Sequence, residues 1–227
     1  MSFAAIIPAA GQGKRLGSRV PKQYLKVLGV PLLVRTLRAL LSAYPFKEVV
    51  VVVDLAQHQN ARALVRRYRI PRTRVVTGQA TRAGSVLNGL KALTTSARFV
   101  VVHDAARPLV SKEVVRRTLA AAKTGGAALC GIPVSSTVKN ISSDGNHVLG
   151  TADRRQLYLA QTPQAFRKDL LLGRYKALGK KATLATDEAA LFDGTSTRVR
   201  MVEGHARNIK VTTKEDLEMV KVYLRGF

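Results

Sequence analysis

The chain is poor in several things, and each shortage narrows the reading. Cys130 is the single cysteine in 227 residues, which excludes an internal disulfide and fits a reducing compartment. Its apolar neighbours mark it as a small buried side chain. No run approaches the ~18 apolar residues of a membrane span. The apolar start at Phe3–Ile7 lacks a basic preceding region and stops at Pro8, so it does not read as a signal peptide, and the expected location is the cytoplasm. There is no tryptophan, with six tyrosines and six phenylalanines. No stretch interleaves these with cations as a single-strand stacking platform would. Ser-His-Asp and Cys-His arrangements are missing as well. His103 beside Asp104, without a second His or a Cys at ligand spacing, is poor evidence for zinc.

Acidic residues are scarce beside basic ones: 14 Asp and Glu stand against 38 Lys and Arg, a formal charge of +24. A nucleic-acid or membrane binder and an enzyme for polyanionic substrates both fit that balance. The cations run along the whole chain, clustering at 62–74 and 167–181, with no separate basic tail. Most of them read as solvated helix surface, with salt-sensitive, non-specific adhesion to nucleic acid as the consequence.

What is present begins at residues 3–29, FAAIIPAAGQGKRLGSRVPKQYLKVLG. An apolar strand breaks into a glycine-rich loop carrying Lys14, Arg15, Arg19, Lys22 and Lys26. Backbone N–H groups and positive charge together suit a polyphosphate. A P-loop would need glycine at Pro8 and a hydroxyl at Arg15. The dinucleotide fingerprint would need glycine at Leu16. The loop is therefore an anion site of another kind, or a tight strand-to-helix turn with solvated cations around it.

Helical spacing follows over 32–43, 57–69, 81–93 and 112–122. Buried β-branched runs at 48–53, 74–77, 99–102 and 127–132 alternate with them. This cadence predicts an α/β domain over 1–227, with a mostly parallel sheet covered by helices on both sides. Ligands then belong at the strand C-termini: Pro8–Gly11, Asp54, Gly78 and His103–Asp104. In HDAARP, residues 103–108, Asp104 suits Mg2+ or another divalent cation and Arg107 a bidentate phosphate grip. A structural Asp–Arg pair closing the turn fits the same residues, and His103 reads as a packing or turn residue. Residues 134–151 form a hairpin around Asp144-Gly145 with little apolar alternation. It is expected to project from the core and to be covered by a second subunit. Strand-like sequence continues over 151–166. Further helical patterns run over 168–178 and 187–192, and Thr186-Asp187-Glu188 is explained by capping and dipole pairing. A strand is expected at 198–202, strand-like sequence at 203–213, and a terminal helix capped by Thr213 with Leu217, Val220 and Leu224 on one face.

Several short motifs occur in a fixed order: Pro8-Ala9-Ala10-Gly11 with Gly13 and Arg15, PKQY (21–24), HDAARP, TPQAF (162–166), TDEA (186–189) and NIKVT (208–212). Together they resemble the 2-C-methyl-D-erythritol 4-phosphate cytidylyltransferases of the non-mevalonate isoprenoid pathway, from residue 3 to about 225. Ribitol-5-phosphate cytidylyltransferases share PKQ, TPQ and the final lysine, but Ala9-Ala10-Gly11, Ala105-Ala106 and TDEA favour the first family. A basic nucleic-acid-binding protein without turnover is the remaining alternative.

The resemblance implies a Rossmann-like nucleotidyltransferase fold whose arm, residues 134–160, makes a homodimer. The implied reaction joins CTP to methylerythritol phosphate with release of pyrophosphate. Arg15, Lys22 and Lys210 would be the catalytic cations. Pro8, Ala9, Ala10, Gly11 and Gly13 would bind the nucleotide, with Gln79, Ala80, Ser85, Asp104 and Ala105. Asp104, Arg107, Thr137, Thr162 and Lys210 would hold the alcohol phosphate, joined by Arg154 from the neighbouring subunit, and Asp104 would place the metal. Gln79 stands where the family usually has a second glycine, and Gly84 where an acidic or polar residue is common.

Overall fold

The structure is a computed structural model that describes residues 1–11, 17 and 20–226. The chain forms β1 (Phe3–Pro8), β2 (Lys26–Val27), β3 (Val30–Pro31), α1 (Leu32–Ala43), β4 (Val49–Val53) and α2 (His58–Arg67). It continues through β5 (Thr73–Thr77), α3 (Arg82–Ala92), β6 (Phe99–Val102), α4 (Lys112–Gly125) and β7 (Ala127–Pro133). Then come β8 (Lys139–Ile141), β9 (Val148–Thr151), β10 (Tyr158–Arg167), α5 (Lys168–Leu178), β11 (Arg200–Glu203) and α6 (Lys214–Arg225). Hydroxyl caps fix several helix starts. Thr81 accepts from the Gly84 N–H and Ser111 from the Val114 N–H, while Thr213 and Asp216 form a reciprocal capping box.

The seven-stranded sheet has the order β11-β7-β10-β6-β1-β4-β5. β1 pairs in parallel with β4 and β6, β4 with β5, and β7 with β11. The valine run of β4 is buried on both faces, as its unbroken β-branching predicts. Val49, Val51 and Val53 face α1, α2 and α4 together with Phe3, Ala5 and Ile7. Val50, Val52 and Ile6 face α3 and α5. α6 packs Val220 against Val27, Leu32 and Val211, with Leu217 and Leu224 partly buried beside them. Each such side chain contributes about 1.5–3 kcal/mol of transfer free energy, and a charge at Val50 or Val51 would find no partner on either face. Among the described residues no helix is long and apolar enough to cross a membrane.

One segment, strand-like as expected, runs antiparallel within the mostly parallel sheet, and two others depart from expectation. β10 lies inside the sheet, antiparallel to both β6 and β7. Its register shifts between Ala160 and Gln164, and Pro163 ordinarily demotes a run from a sheet interior, so the sequence shows no clean alternation there. Residues 204–212, expected to be strand-like, are an irregular loop after β11. The helix expected at 187–192 is a 3-10 turn over Ala189–Phe192.

The hairpin β8–β9 does form, in a sheet of its own. Gly145 sits at φ +77, where a glycine is favoured. Ile141, Val148 and Leu149 are 58%, 64% and 69% exposed, leaving the arm's apolar side chains uncovered by their own chain.

Candidate active site

The parallel strands deliver their C-terminal ends to one edge of the sheet, and two cavities open there. The first, of about 200 Å3, is walled on one side by Pro8, Ala9, Ala10 and Gly11 and on another by Gln79, Ala80 and Ser85. Lys22, Asp104, Ala105 and Lys210 complete the expected set. The second, of about 220 Å3, is lined by Arg107 and Thr162 together with Gln161, Gln164, Thr186 and Asp187. Among the described residues three line both: Arg82, Asp104 and Lys210. Gly13 and Arg15 lie outside the described residues.

Asp104 is the centre of this junction. Its carboxylate accepts from Lys210 Nζ at 2.9 Å, from Arg82 Nη2 at 3.4 Å and from Arg107 Nε at 3.4 Å. Burial alone would push its acidity down, but Lys210, Arg82 and Arg107 outweigh that and hold the carboxyl well below the usual carboxylate range. The Asp–Arg turn pair that the sequence allowed is present, and it is one part of a four-charge cluster.

The backbone around the cluster is pinned by buried amides and hydroxyls. The Asp104 N–H donates to Thr162 Oγ1 at 3.0 Å, because the reversed strand β10 brings residue 162 beside the end of β6. His103 Nε2 lies 3.2 Å from the Arg107 carbonyl, which can only accept, so that nitrogen carries the proton. Burial lowers the imidazole to about 4 and keeps it neutral, so Nδ1 accepts from the Thr162 hydroxyl at 2.9 Å. The Thr162 proton is thereby committed to His103. The loop bearing Lys210 is held by Asn208, whose amide donates to the Thr162 carbonyl at 2.9 Å and whose own carbonyl accepts from Arg107 at 2.7 Å. Lys22 donates to the Val211 carbonyl at 2.9 Å. Gln23, from PKQY, donates to the Ala9 carbonyl at 2.6 Å and fixes the exit of β1.

At the other end of the first cavity, Ser85 and Gln79 satisfy one another. The Gln79 N–H donates to Ser85 Oγ, and that hydroxyl donates to the Gln79 carbonyl, both at 3.1 Å. Gly78 must be small, since a Cβ there would lie 2.5 Å from Ser85 Oγ. Gln79 is not among the residues of positive φ, so it carries none of the backbone strain that replacing a glycine can bring.

Sequence reasoning missed Glu188. Capping accounts for Asp187, whose Oδ1 accepts from the Ala190 N–H at 2.9 Å. It does not account for Glu188, which is fully buried and accepts from Arg82 Nη1 at 2.8 Å, 106 residues away. Burial raises the Glu188 carboxyl above its ordinary range despite the pull of Arg82. The available signal was two adjacent carboxylates at a turn that needs one.

Among the described residues no group of three or more His, Cys, Asp or Glu is placed to hold a metal. Asp104, the residue expected to place a divalent cation, is ringed by three cations instead of further carboxylates. Thr137 and Arg154 line neither cavity. Both are exposed at the base of the arm, with Arg154 donating to the Ser135 carbonyl.

The comparisons with known proteins agree with one another. The family model of 2-C-methyl-D-erythritol 4-phosphate cytidylyltransferase matches residues 3–226. The bifunctional enzyme IspD/IspF of Desulfotalea psychrophila is 40% identical over 222 residues, covering 98% of this chain and 56% of that protein. The 2-C-methyl-D-erythritol 4-phosphate cytidylyltransferase of Pelotomaculum thermopropionicum is 40% identical over 225 residues, covering 98% and 94%. The solved 4-diphosphocytidyl-2C-methyl-D-erythritol synthase of Anaerococcus prevotii superposes with a TM-score of 0.85 at 31% identity, covering 99% and 98%. With fold, ordered motifs and full-length likeness in agreement, the chain belongs to the 2-C-methyl-D-erythritol 4-phosphate cytidylyltransferase family.

Proposed function

We infer that the protein transfers the cytidylyl group of CTP to 2-C-methyl-D-erythritol 4-phosphate, forming 4-diphosphocytidyl-2-C-methyl-D-erythritol and pyrophosphate. The observation that carries this reading is the shared wall of Arg82, Asp104 and Lys210 between two cavities. A nucleotide in one and an alcohol phosphate in the other would meet there.

An oxygen of the acceptor phosphate forms the new bond to the α-phosphorus of CTP. The bond from that phosphorus to the β-phosphate oxygen breaks, and its electron pair leaves with pyrophosphate. The second ionisation of a phosphate monoester lies near ~6, so the attacking oxygen needs no proton removed. His103, committed on both nitrogens, and Asp104, ion-paired to three cations, are unsuited to act as a base. The site's task is to let two polyanions approach and to align them. Lys22 and Lys210 suit the triphosphate, with Arg15 assigned beside them by the resemblance. Arg107 suits the acceptor, and Thr162 holds the Asp104 backbone at the cavity wall.

Mg2+ entering with CTP would neutralise part of the triphosphate charge, with Asp104 as its protein oxygen. Homodimerisation through residues 134–160 is supported by the uncovered Ile141, Val148 and Leu149. It would also give Thr137 and Arg154 a site to serve in a partner.

Pyrophosphate release tests the reading, using CTP, UTP and ATP against methylerythritol phosphate and ribitol 5-phosphate, with and without Mg2+. Turnover confined to CTP, methylerythritol phosphate and Mg2+ is expected. Absence of turnover with that pair, or equal rates with ribitol 5-phosphate, would overturn it.

A further inference from the structure

We propose that Arg82 contacts the reacting phosphates and that Glu188 is the positioning residue holding it between the cavities, an inference that rests on the cytidylyltransferase reading. Arg82 and Lys210 are the two cations among the described residues that line both cavities. Arg82 opens helix α3, and its side chain keeps 26% exposure at the cavity walls. A guanidinium on a long stem has many rotamers, yet this one is tethered at both ends of its fork. Nη1 meets Glu188 at 2.8 Å and Nη2 meets Asp104 at 3.4 Å. Five N–H donors are available to an arginine, so two tethers leave others for phosphate oxygens.

Glu188 is built for little else. It is fully buried, its Oε1 takes Arg82 and the Tyr175 hydroxyl (3.4 Å), and its Oε2 has no hydrogen-bond partner among the described residues. An unsatisfied buried carboxylate oxygen is costly, and the local turn does not require it, because Asp187 already caps Ala190. The arrangement makes sense as a tether. Asp104 already carries Lys210 and Arg107; without Glu188, Arg82 would swing fully onto Asp104 and its charge would be spent there. With Glu188 in place, the guanidinium stands across the boundary where the α-phosphorus must sit. In the transfer no proton moves, and Arg82, always charged, donates N–H groups to non-bridging oxygens as charge builds on them.

The test uses the full chain with Glu188→Gln, Arg82→Gln and the double variant, measuring kcat, both KM values and thermal stability. Arg82→Gln should lower kcat about 100-fold, in the range of removing one oxyanion donor. Glu188→Gln, nearly isosteric, should lower kcat about tenfold, a placement cost, while shifting KM for CTP much less. The double variant should be no slower than Arg82→Gln alone, since Glu188 acts through Arg82. Additive losses, a lowered melting temperature with kcat per folded molecule intact, or an unchanged kcat in Arg82→Gln would each overturn the proposal. Should Glu188→Gln fail to fold, Arg82→Gln and the double variant, whose two amides can pair, still decide it. Inactive wild-type protein would refute the cytidylyltransferase reading itself; active wild type with unaffected variants would refute only this inference.

Discussion

Gln79 and Gly84 are matched to one another: a Cβ on residue 84 would lie 2.5 Å from Gln79 Oε1 and 3.1 Å from Gln79 Cβ. The glutamine's amide instead donates to Asn88 Oδ1 at 2.8 Å. The two residues therefore fit one another sterically. The space that a side chain at 84 would need is occupied by the Gln79 side chain. Gly84→Ala should displace the Gln79 amide from Asn88 and raise KM for CTP a few-fold. Adding Gln79→Gly should relieve it, giving a coupling of about 1 kcal/mol in a double-mutant cycle. Strict additivity of the two changes would show that they are independent.

Lys210 has a simpler expectation. Its ammonium is 2.9 Å from Asp104 Oδ2 and lines both cavities. Lys210→Gln should lower kcat by ~10^2 to 10^3 while the fold survives. Steady-state kinetics beside a melting curve separates these outcomes.

Asp104→Asn removes the one anion that Lys210, Arg82 and Arg107 share. Three cations are then left to repel, at a cost of about 2–4 kcal/mol, less than for a fully buried pair because Lys210 and Arg82 reach solvent. Denaturant unfolding should show that loss and recover much of it at high salt.

His103 sets a pH dependence whose sign is fixed. Burial first, against the pull of the Asp104 charge, lowers the folded imidazole from its ordinary 6.5 to about 4. Its contribution is present above the unfolded value and is lost as pH falls from 6.5 toward 4, because the unfolded chain takes up a proton that the folded chain refuses. The shift corresponds to about 3 kcal/mol. Glu188, whose folded carboxyl is raised, acts in the opposite direction over its own range. Comparing wild type with His103→Asn cancels that contribution. The wild type should lose more stability than the variant between pH 7.5 and 4.5, and equal losses would contradict the assignment.

The arm gives an oligomerisation prediction. Charges in place of Val148 and Leu149, both largely exposed, should yield monomers in sedimentation experiments with activity reduced at least tenfold. An unaltered dimer would move the interface elsewhere.

Much of this was legible in the residues. Phe3–Ile7 read as an apolar strand, and the valines of 49–53 as a doubly covered one, because buried parallel strands have no polar alternation. Asp104 and Arg107 stood out because a carboxylate and a cation just past a buried strand have a chemical use, whereas Lys210 was singled out by the family resemblance. What stayed hidden depended on contacts distant in sequence. Glu188 finds Arg82 across 106 positions, and no local pattern announces that. β10 hides its place in the sheet behind Pro163 and a register shift. Asn208, which ties the Lys210 loop to Thr162 and Arg107, lies in a stretch that reads in sequence as strand-like, so its anchoring role does not show.

Attack without a side-chain base is the central claim, and the pH dependence of kcat/KM for the acceptor tests it most directly. The account predicts one rising limb set by the second ionisation of the acceptor phosphate, which shifts upward when a phosphonate analogue of higher second pKa replaces it. A limb that stays at the same pH with both acceptors would belong to a group on the protein, and would contradict the account.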